Sequence, residues 1–177
     1  MPMGPMRLLD EVGIDVALHV AQTIAANYGD RMSVPEVLSK MAQAGLLGKK
    51  TYRGFYVHAK GKEPTANPAA SGLLSSITHH ASRATNFQDR MVLLMVNEAA
   101  RCLEEEIVPE PSDIDFAMIM GTGFAPFRGG PLRYADAVGA SNIVAAMNRL
   151  VDSGAAHFAP CALLRDLATS GKRFYKS

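Results

Sequence analysis

The segment from Gly48 to Arg53 concentrates residue types that bind phosphate groups. Lys49, Lys50 and Arg53 carry positive charges that could meet the phosphates of a ligand. The string Gly-Lys-Lys-Thr resembles the end of a phosphate-binding loop, but the glycine required five residues earlier is Gln43 and the threonine is displaced. A solvated basic loop is the alternative, so these three side chains are binding candidates by charge alone.

A second glycine-containing string, Gly121-Thr122-Gly123-Phe124-Ala125-Pro126, resembles half of a dinucleotide fingerprint. That fingerprint requires a strand, a tight turn and a helix N-terminus in this order. Here Pro126 replaces the last glycine, and the preceding residues have the pattern of a helix rather than a strand. We therefore expect no nucleotide cofactor to be bound by this chain.

Met120 and the histidines are the remaining candidates for chemistry. Met120 ends a predicted helix and is apolar, so lining a ligand pocket and filling the core are equally open. His79 and His80 are adjacent and would not share a helix face, which favours a surface pair over a metal site. The other histidines have no carboxylate, serine or cysteine at motif spacing; these are His19, His58 and His157. No catalytic residue and no metal ligand is predicted.

Apolar positions recur at helical spacing along most of the chain, so we expect helices to position these residues. One helical stretch opens at Pro5 and continues to about Tyr28, and a long helix is expected over Asn86–Glu106. The core stripe of that long helix is predicted to comprise Phe87, Met91, Leu94, Met95, Ala99 and Leu103. No long alternating pattern supports a sheet. The fold class is predicted to be all-α.

An internal repeat is the most informative feature of the sequence. Gly4–Gly13 matches Gly130–Gly139 at an offset of 126, with six of ten residues identical. Two further matches follow in the same order, at offsets of 125 and 123; they pair Val34–Leu38 with Ala159–Leu163 and Gly48–Lys50 with Gly171–Arg173. The alternative is a pair of unrelated helices with common opening residues. We predict two tandem copies of one helical unit.

The repeat also predicts a truncated first copy. The helices of Asn86–Gly129 precede the second Gly-Pro motif, whereas only Met1–Met3 precede the first. The predicted domains are a first helical repeat at residues 1–60, a linker at 61–82 and a second repeat at 83–177.

The two copies are expected to be related by a rotation near two-fold. Apolar surface left uncovered by the missing helices makes some self-association expected.

The charge balance and the cysteines limit the possible partners and compartments. The 177 residues include 18 basic and 17 acidic side chains, for a net charge of +1, so no basic face for nucleic acid or an anionic membrane is expected. The longest apolar run, Met91–Val96, is too short for a membrane span.

Cys102 and Cys161 lack metal-ligand spacing and indicate core thiols in a reducing compartment. Without a signal-peptide pattern at the N-terminus, the prediction is a cytoplasmic protein.

Several of these strings together resemble the C-terminal domain of 3-hydroxyacyl-CoA dehydrogenases. In the second copy they are Asp89-Arg90, Val96-Asn97-Glu98-Ala99-Ala100, Asp113-Ile114-Asp115, Gly123-Phe124-Ala125-Pro126, Gly129-Gly130-Pro131, Asp136 and Gly139. In the first copy they are Pro2–Gly13, Gly48-Lys49-Lys50-Thr51 and Gly54-Phe55-Tyr56. The tandem arrangement is similar to that of the alpha subunits of bacterial fatty-acid oxidation complexes. The resemblance covers nearly the whole chain except Gly61–Ser82.

The resemblance implies an NAD-linked oxidation of 3-hydroxyacyl-CoA to 3-ketoacyl-CoA in β-oxidation. A hydratase/isomerase domain and a dinucleotide-binding domain would precede this chain in a multifunctional parent, and the catalytic histidine and glutamate would lie there. NAD would be the cofactor of the parent, and the chain alone would be inactive. Met120 ends the helix at which the resembled alpha subunits contact substrate, which is the reason for the acyl-pocket alternative; Lys49, Lys50 and Arg53 are candidates for the CoA phosphates by charge alone.

Two alternatives are retained. One is a helical dimerisation or interaction module of a different NAD(P)-dependent dehydrogenase, and the other is a self-sufficient helical interaction module.

Overall fold

The computed structural model describes residues 3–77 and 87–175 and divides the chain into two compact units. The N-terminal unit is Pro2–Ala81, and the C-terminal unit begins at Ser82 and ends at Ser177. Helices dominate both units, and the only strands in the described residues are two pieces of two residues each. The predicted all-α fold class is confirmed.

In the residues that the structure describes, the N-terminal unit contains four α-helices and one short hairpin. The elements are α1 (Pro5–Val12), α2 (Ile14–Tyr28), α3 (Glu36–Gln43), β1 (Tyr56–Val57), β2 (Thr65–Ala66) and α4 (Pro68–Ile77). Pro5 opens α1 because its missing N–H falls where a helix has no acceptor for it. Gly13 separates α1 from α2 with a φ of 103°, a conformation that glycine adopts without strain. The core comprises Ile14, Leu38, Met41, Leu46, Phe55 and Ala70.

The stretch predicted as a linker differs from that prediction within the described residues. The antiparallel partner of β1, strand β2, and the whole of α4 fall inside it. Ala70 of α4 is 1% exposed and belongs to the core of the N-terminal unit. Polar residues and two prolines suggested a linker, but Pro68 opens a helix that packs on α3. His79 and His80 lie outside the described residues.

Over its described residues, 87–175, the C-terminal unit contains five α-helices around a larger core. They are α5 (Phe87–Glu104), α6 (Pro111–Thr122), α7 (Pro131–Val138), α8 (Ala140–Asp152) and α9 (Ala162–Ser170). The core comprises Leu93, Val96, Ala99, Ala100, Ile114, Leu132, Ala135, Ile143, Met147, Leu150, Phe158, Cys161 and Leu164.

The stripe that α5 buries agrees with the predicted one at Ala99, and Leu103 packs against the core, but the rest of the stripe differs. Its buried residues are Leu93, Val96, Asn97, Ala99 and Ala100, whereas Phe87 is 76% exposed and Met91 is 40% exposed. The helix is apolar on two adjacent faces, and helical periodicity alone does not choose between them.

The helices of the two units share a constant spacing in the chain. The first residues of α1 and α7, of α2 and α8, and of α3 and α9 are each 126 positions apart. Gly13 and Gly139 adopt nearly the same backbone angles, with φ of 103° and 92° and ψ of 131° and 129°. Leu38 and Met41 of α3 are buried, as are Leu164 and Leu167 of α9.

This spacing revises the third sequence match. Gly171 ends α9 with a φ of 67°, and the residue 126 positions earlier is Gly45, whose φ is 69°. Gly45 rather than Gly48 therefore corresponds to Gly171, and the second match also shifts to 126. Lys49 and Lys50 then belong to extra residues of the first unit. The tandem duplication itself stays a prediction.

Candidate functional site

Asp10 is the centre of a buried polar cluster in the N-terminal unit. The residue is buried, and its side chain accepts hydrogen bonds from the backbone amides of Phe55, at 2.8 Å, and Tyr56, at 2.9 Å. A Cβ added to Gly54 would lie 2.1 Å from Asp10 Oδ1, so only glycine allows this approach. The carboxylate thereby fixes the loop that returns from α3 onto α1.

His58 completes this cluster and has a carboxylate partner that motif spacing did not reveal. Its Nε2 lies 2.8 Å from Asp10 Oδ2, and the two residues are 48 positions apart in the chain. The His58 side chain is 7% exposed and that of Asp10 is 0% exposed. General acid–base catalysis requires a side chain within reach of the substrate, so this enclosed pair is better suited to anchoring the loop.

Asp136 makes the same pair of amide bonds in the C-terminal unit. It accepts from Phe174 N at 2.9 Å and from Tyr175 N at 3.0 Å. Asp10 and Asp136 are one of the identical pairs of the repeat, and each binds the amides of a Phe-Tyr pair. That identity was the sequence signal that could have indicated this role.

Asp115 of α6 binds the first turn of α7. Its carboxylate accepts from Leu132 N at 2.8 Å, from Arg133 N at 3.0 Å and from the hydroxyl of Tyr175 at 2.6 Å. Burial, followed by the hydrogen bond to Asp115, raises the pKa of Tyr175 above its ordinary value. The Arg133 guanidinium carbon lies 3.6 Å from the centre of the Tyr175 ring. A carboxylate at a helix N-terminus also matches the positive end of the helix dipole.

Asn97 and Glu104 of α5 hold the start of α9. Asn97 donates to Ala159 O at 3.0 Å and accepts from Cys161 N at 2.9 Å, while Glu104 accepts from Leu163 N at 3.0 Å. The bond from Leu163 holds the pKa of Glu104 below its usual range. Burial raises the pKa of the Cys161 thiol to about 11, which disfavours the reactive thiolate. Both cysteines are free thiols.

Two of the three predicted phosphate ligands are already paired with carboxylates. Lys49 Nζ donates to Glu11 at 2.9 Å, and Lys50 Nζ bonds the carboxylate of Asp15. These hydrogen bonds are the largest cause of the lowered pKa of Glu11 and of Asp15. The side chains are substantially exposed, and Arg53 on the same loop is exposed too. A phosphate would have to compete with Glu11 and Asp15 for the two lysines.

Met120 lies in the last turn of α6 and is 70% exposed. Met120 is therefore not part of the core of the C-terminal unit. Phe116, one turn earlier on the same helix, is 67% exposed, and Phe127, in the short 3-10 helix that follows α6, is 86% exposed. Met120 and Phe116 give the surface of α6 an apolar stripe, whereas the basic candidates lie on the loop of the N-terminal unit.

The half fingerprint lies at the wrong end of a helix for a pyrophosphate. Gly121 and Thr122 are the last residues of α6, and Gly123 is its left-handed C-cap with a φ of 67°. A helix C-terminus presents carbonyl oxygens and partial negative charge, which disfavour an anion. Thr51 of the other glycine string bonds backbone groups of its own loop, including Gly48 O and Arg53 O.

Within residues 3–77 and 87–175, no group of three or more His, Cys, Asp or Glu side chains could hold a metal ion. None of the helices in these two ranges combines the length and the hydropathy needed to cross a bilayer.

The chain matches the family described as 3-hydroxyacyl-CoA dehydrogenase, C-terminal domain, over residues 1–58 and 87–177. It is 39% identical over 176 residues to the fatty acid oxidation complex subunit alpha of Shewanella loihica. That alignment covers 99% of this chain and 25% of the relative, so the chain spans about a quarter of the relative's length.

Two solved structures share the fold of this chain. The 3-hydroxybutyryl-CoA dehydrogenase from Escherichia coli K12 aligns with a TM-score of 0.70 and 21% identity, over 96% of this chain and 52% of that one. The dehydrogenase part of multifunctional enzyme 1 from C. elegans aligns with a TM-score of 0.60 and 23% identity, over 93% of this chain and 38% of that one.

Proposed function

The chain belongs to the 3-hydroxyacyl-CoA dehydrogenase C-terminal domain family, and we propose that it is the substrate-side and scaffold portion of an NAD-dependent 3-hydroxyacyl-CoA dehydrogenase. The observation that carries this proposal is the family match over residues 1–58 and 87–177, which reaches into both units. The parent would be a multifunctional enzyme of fatty-acid β-oxidation, as the alpha subunit of Shewanella loihica suggests. An upstream dinucleotide-binding domain would hold the NAD that accepts the hydride. That domain would be the main partner of this chain.

We further propose that the two units are tandem copies of one helical unit. The constant spacing of 126 residues, the paired glycine conformations and the shared Asp10 and Asp136 bonds support this. The two stretches of the family match fall one in each unit. Some self-association also stays part of the proposal, because α1 and α2 expose large apolar side chains such as Leu8, Val12 and Val16. For the whole protein we propose the cytoplasm, to which two free thiols are suited.

A chimera with the Shewanella loihica relative tests the function. We expect this chain to restore NADH formation from a 3-hydroxyacyl-CoA when it replaces the matching quarter of the relative, because 39% identity over 176 residues preserves the packing surfaces. The relative lacking that quarter is the negative control. A folded chimera that binds NAD but forms no NADH would contradict the proposal.

The same experiment includes the chain by itself. With NADH and acetoacetyl-CoA it should give no loss of nicotinamide absorbance beyond that of a heated sample, and calorimetry should give no saturable NAD titration. Activity or micromolar NAD binding by the isolated chain would show that the catalytic groups are not all upstream.

Met120 is proposed to contact the acyl chain of the substrate, with Phe116 beside it. In the chimera we expect Met120→Glu to raise KM for a long-chain substrate about tenfold, since losing about two buried methylene contacts costs roughly 1.6 kcal/mol. Ile107→Glu is the matched control, because Ile107 is 67% exposed and lies beyond the end of α5. Equal effects of the two changes would leave Met120 without a substrate role.

Lys49, Lys50 and Arg53 are retained as candidates for the phosphates of CoA. Their positive charges and exposure support this, while Glu11 and Asp15 oppose it. The second candidate function, a helical dimerisation module of another NAD(P)-dependent dehydrogenase, would be favoured if the chimera bound NAD but discriminated against every acyl-CoA.

A further inference from the structure

A cleft of about 200 Å³ in the C-terminal unit lies between the start of α8 and the end of α9. Its polar lining includes the side chains of Asp136, Lys172 and Arg173. The carboxylate of Asp136 binds two backbone amides. The two basic side chains are exposed, and within residues 3–77 and 87–175 neither has a hydrogen bond or an ion pair. The cleft therefore offers two unpaired cations.

The N-terminal unit fills the corresponding space with an ion pair of its own. A Cβ added at Gly13 would lie 3.0 Å from Asp15 Oδ1 and 3.4 Å from Lys50 Nζ. The ammonium group of Lys50 bonds the Asp15 carboxylate. A Cβ added at Gly139 would instead meet only Asn142 Nδ2 within 4 Å, at 3.6 Å. A carboxylate and a cation thus lie over the start of α2, whereas the start of α8 is open.

Backbone amides at the two helix starts differ in the same way. Ile14 N donates to Leu47 O at 3.2 Å. Its counterpart Ala140 N and the next amide, Ser141 N, have no acceptor in the part of the chain that the structure describes. The loop that follows α9 is shorter than the one that follows α3, so it supplies no carbonyl here. Two donors therefore point to the cleft without a partner.

The C-terminal unit also lacks two acidic side chains that the N-terminal unit has. Glu11 and Asp15 each form an ion pair with a lysine of the loop that follows α3. The residues 126 positions later are Ala137 and Ser141, neither of which is acidic. Two negative charges are therefore missing at a place where the two cations of the cleft remain.

We propose that this cleft binds a phosphate group, either free or as a phosphate monoester. The phosphate oxygens would accept from Lys172 and Arg173 and from the amides of Ala140 and Ser141, where the helix dipole also favours an anion. A phosphate dianion supplies both missing charges, whereas a carboxylate supplies one. This site involves neither NAD nor hydride transfer, so its failure would leave the proposed function standing.

Titration of the 177-residue chain with inorganic phosphate tests the proposal. We expect saturable NMR shifts of the Ala140 and Ser141 amides at constant ionic strength and a pH of about 8, where phosphate is a dianion. Lys172→Gln should weaken binding about tenfold, because a charged donor is lost. Arg149→Gln, which removes the same charge from the exposed last turn of α8, is the matched control. Absence of saturation at the two amides, or equal weakening by both variants, would overturn the proposal.

Ser141→Asp restores the carboxylate that Asp15 provides in the N-terminal unit. We expect it to abolish the phosphate shifts, because the new carboxylate would pair with the cations of the cleft and repel the ligand. Asn148→Asp adds the same charge about 10 Å further along α8, beyond the screening length of the solvent, and should change the affinity less than about twofold. Unchanged shifts elsewhere in the C-terminal unit report that each variant is folded. Phosphate binding that survives Ser141→Asp would refute the site.

AMP distinguishes the two sources of the phosphate group. If AMP binds at least tenfold more tightly than inorganic phosphate at the same amides, the ligand is a larger phosphate monoester. Equal or weaker binding of AMP identifies the free anion. Adenosine should leave the Ala140 and Ser141 amides unshifted, and saturable shifts there with adenosine would assign the cleft to the nucleoside and overturn the proposal.

Discussion

We expect Gly130→Ala to lower the free energy of unfolding of the C-terminal unit by about 3–5 kcal/mol, with a positive φ and a displaced buried carboxylate both contributing. The added Cβ would lie 2.4 Å from Asp115, and the backbone has a φ of 103°. Asp115 would have to move, so its bonds to Leu132 N, Arg133 N and the Tyr175 hydroxyl would weaken together. Urea unfolding, read from exchange of amides within the C-terminal unit, measures this loss.

Gly4→Ala is the control for this experiment. It should change the free energy of unfolding by less than about 0.5 kcal/mol, as surface changes usually do, because its surroundings are open. If Gly130→Ala proved as mild as Gly4→Ala, the close approach of α6 to α7 would not exist in solution.

The second large effect is expected for Asp10→Asn, which should destabilise the N-terminal unit by about 3 kcal/mol because a buried charged acceptor is lost. Asp10 accepts from Phe55 N, Tyr56 N and His58 Nε2 and is 1% exposed. An asparagine has one acceptor oxygen, and its NH₂ group would face donors. We expect accelerated hydrogen exchange at the Phe55 and Tyr56 amides.

Asp136→Asn provides the matched comparison for that variant. Asp136 makes the two corresponding amide bonds, to Phe174 and Tyr175, and is only partly buried. Its change should cost roughly half as much, since water can partly replace the lost acceptor. A larger effect for Asp136→Asn than for Asp10→Asn would show that burial does not set the strength of these bonds.

The sequence by itself determined the helical fold class and much of the helix pattern. Pro5 and Pro131 open helices, and Gly13 and Gly139 interrupt them, because these residue types restrict or widen the backbone choices of their immediate neighbours. The repeat was visible for the same reason, since its most similar part is the local string that begins a helix. Family resemblance followed from those strings and is confirmed.

Local patterns did not decide which apolar face was buried. On α5, both the predicted stripe with Phe87 and the observed one with Val96 have helical spacing. The helices that pack on α5 select Val96, and their positions depend on the whole chain. Met120 is the converse case, because its place at the end of α6 was predicted while its exposure was not.

Only the tertiary structure decided the partners of the charged and polar residues. Lys49 and Glu11 are 38 positions apart, His58 and Asp10 are 48 apart, and Asp115 binds Tyr175 across 60. Sequence separations of this size follow no recognisable motif, because loops of many lengths can bring two residues together in the folded chain. Hydrogen bonding and ion pairing act over a few ångströms, so they become definite only when packing brings the two residues together.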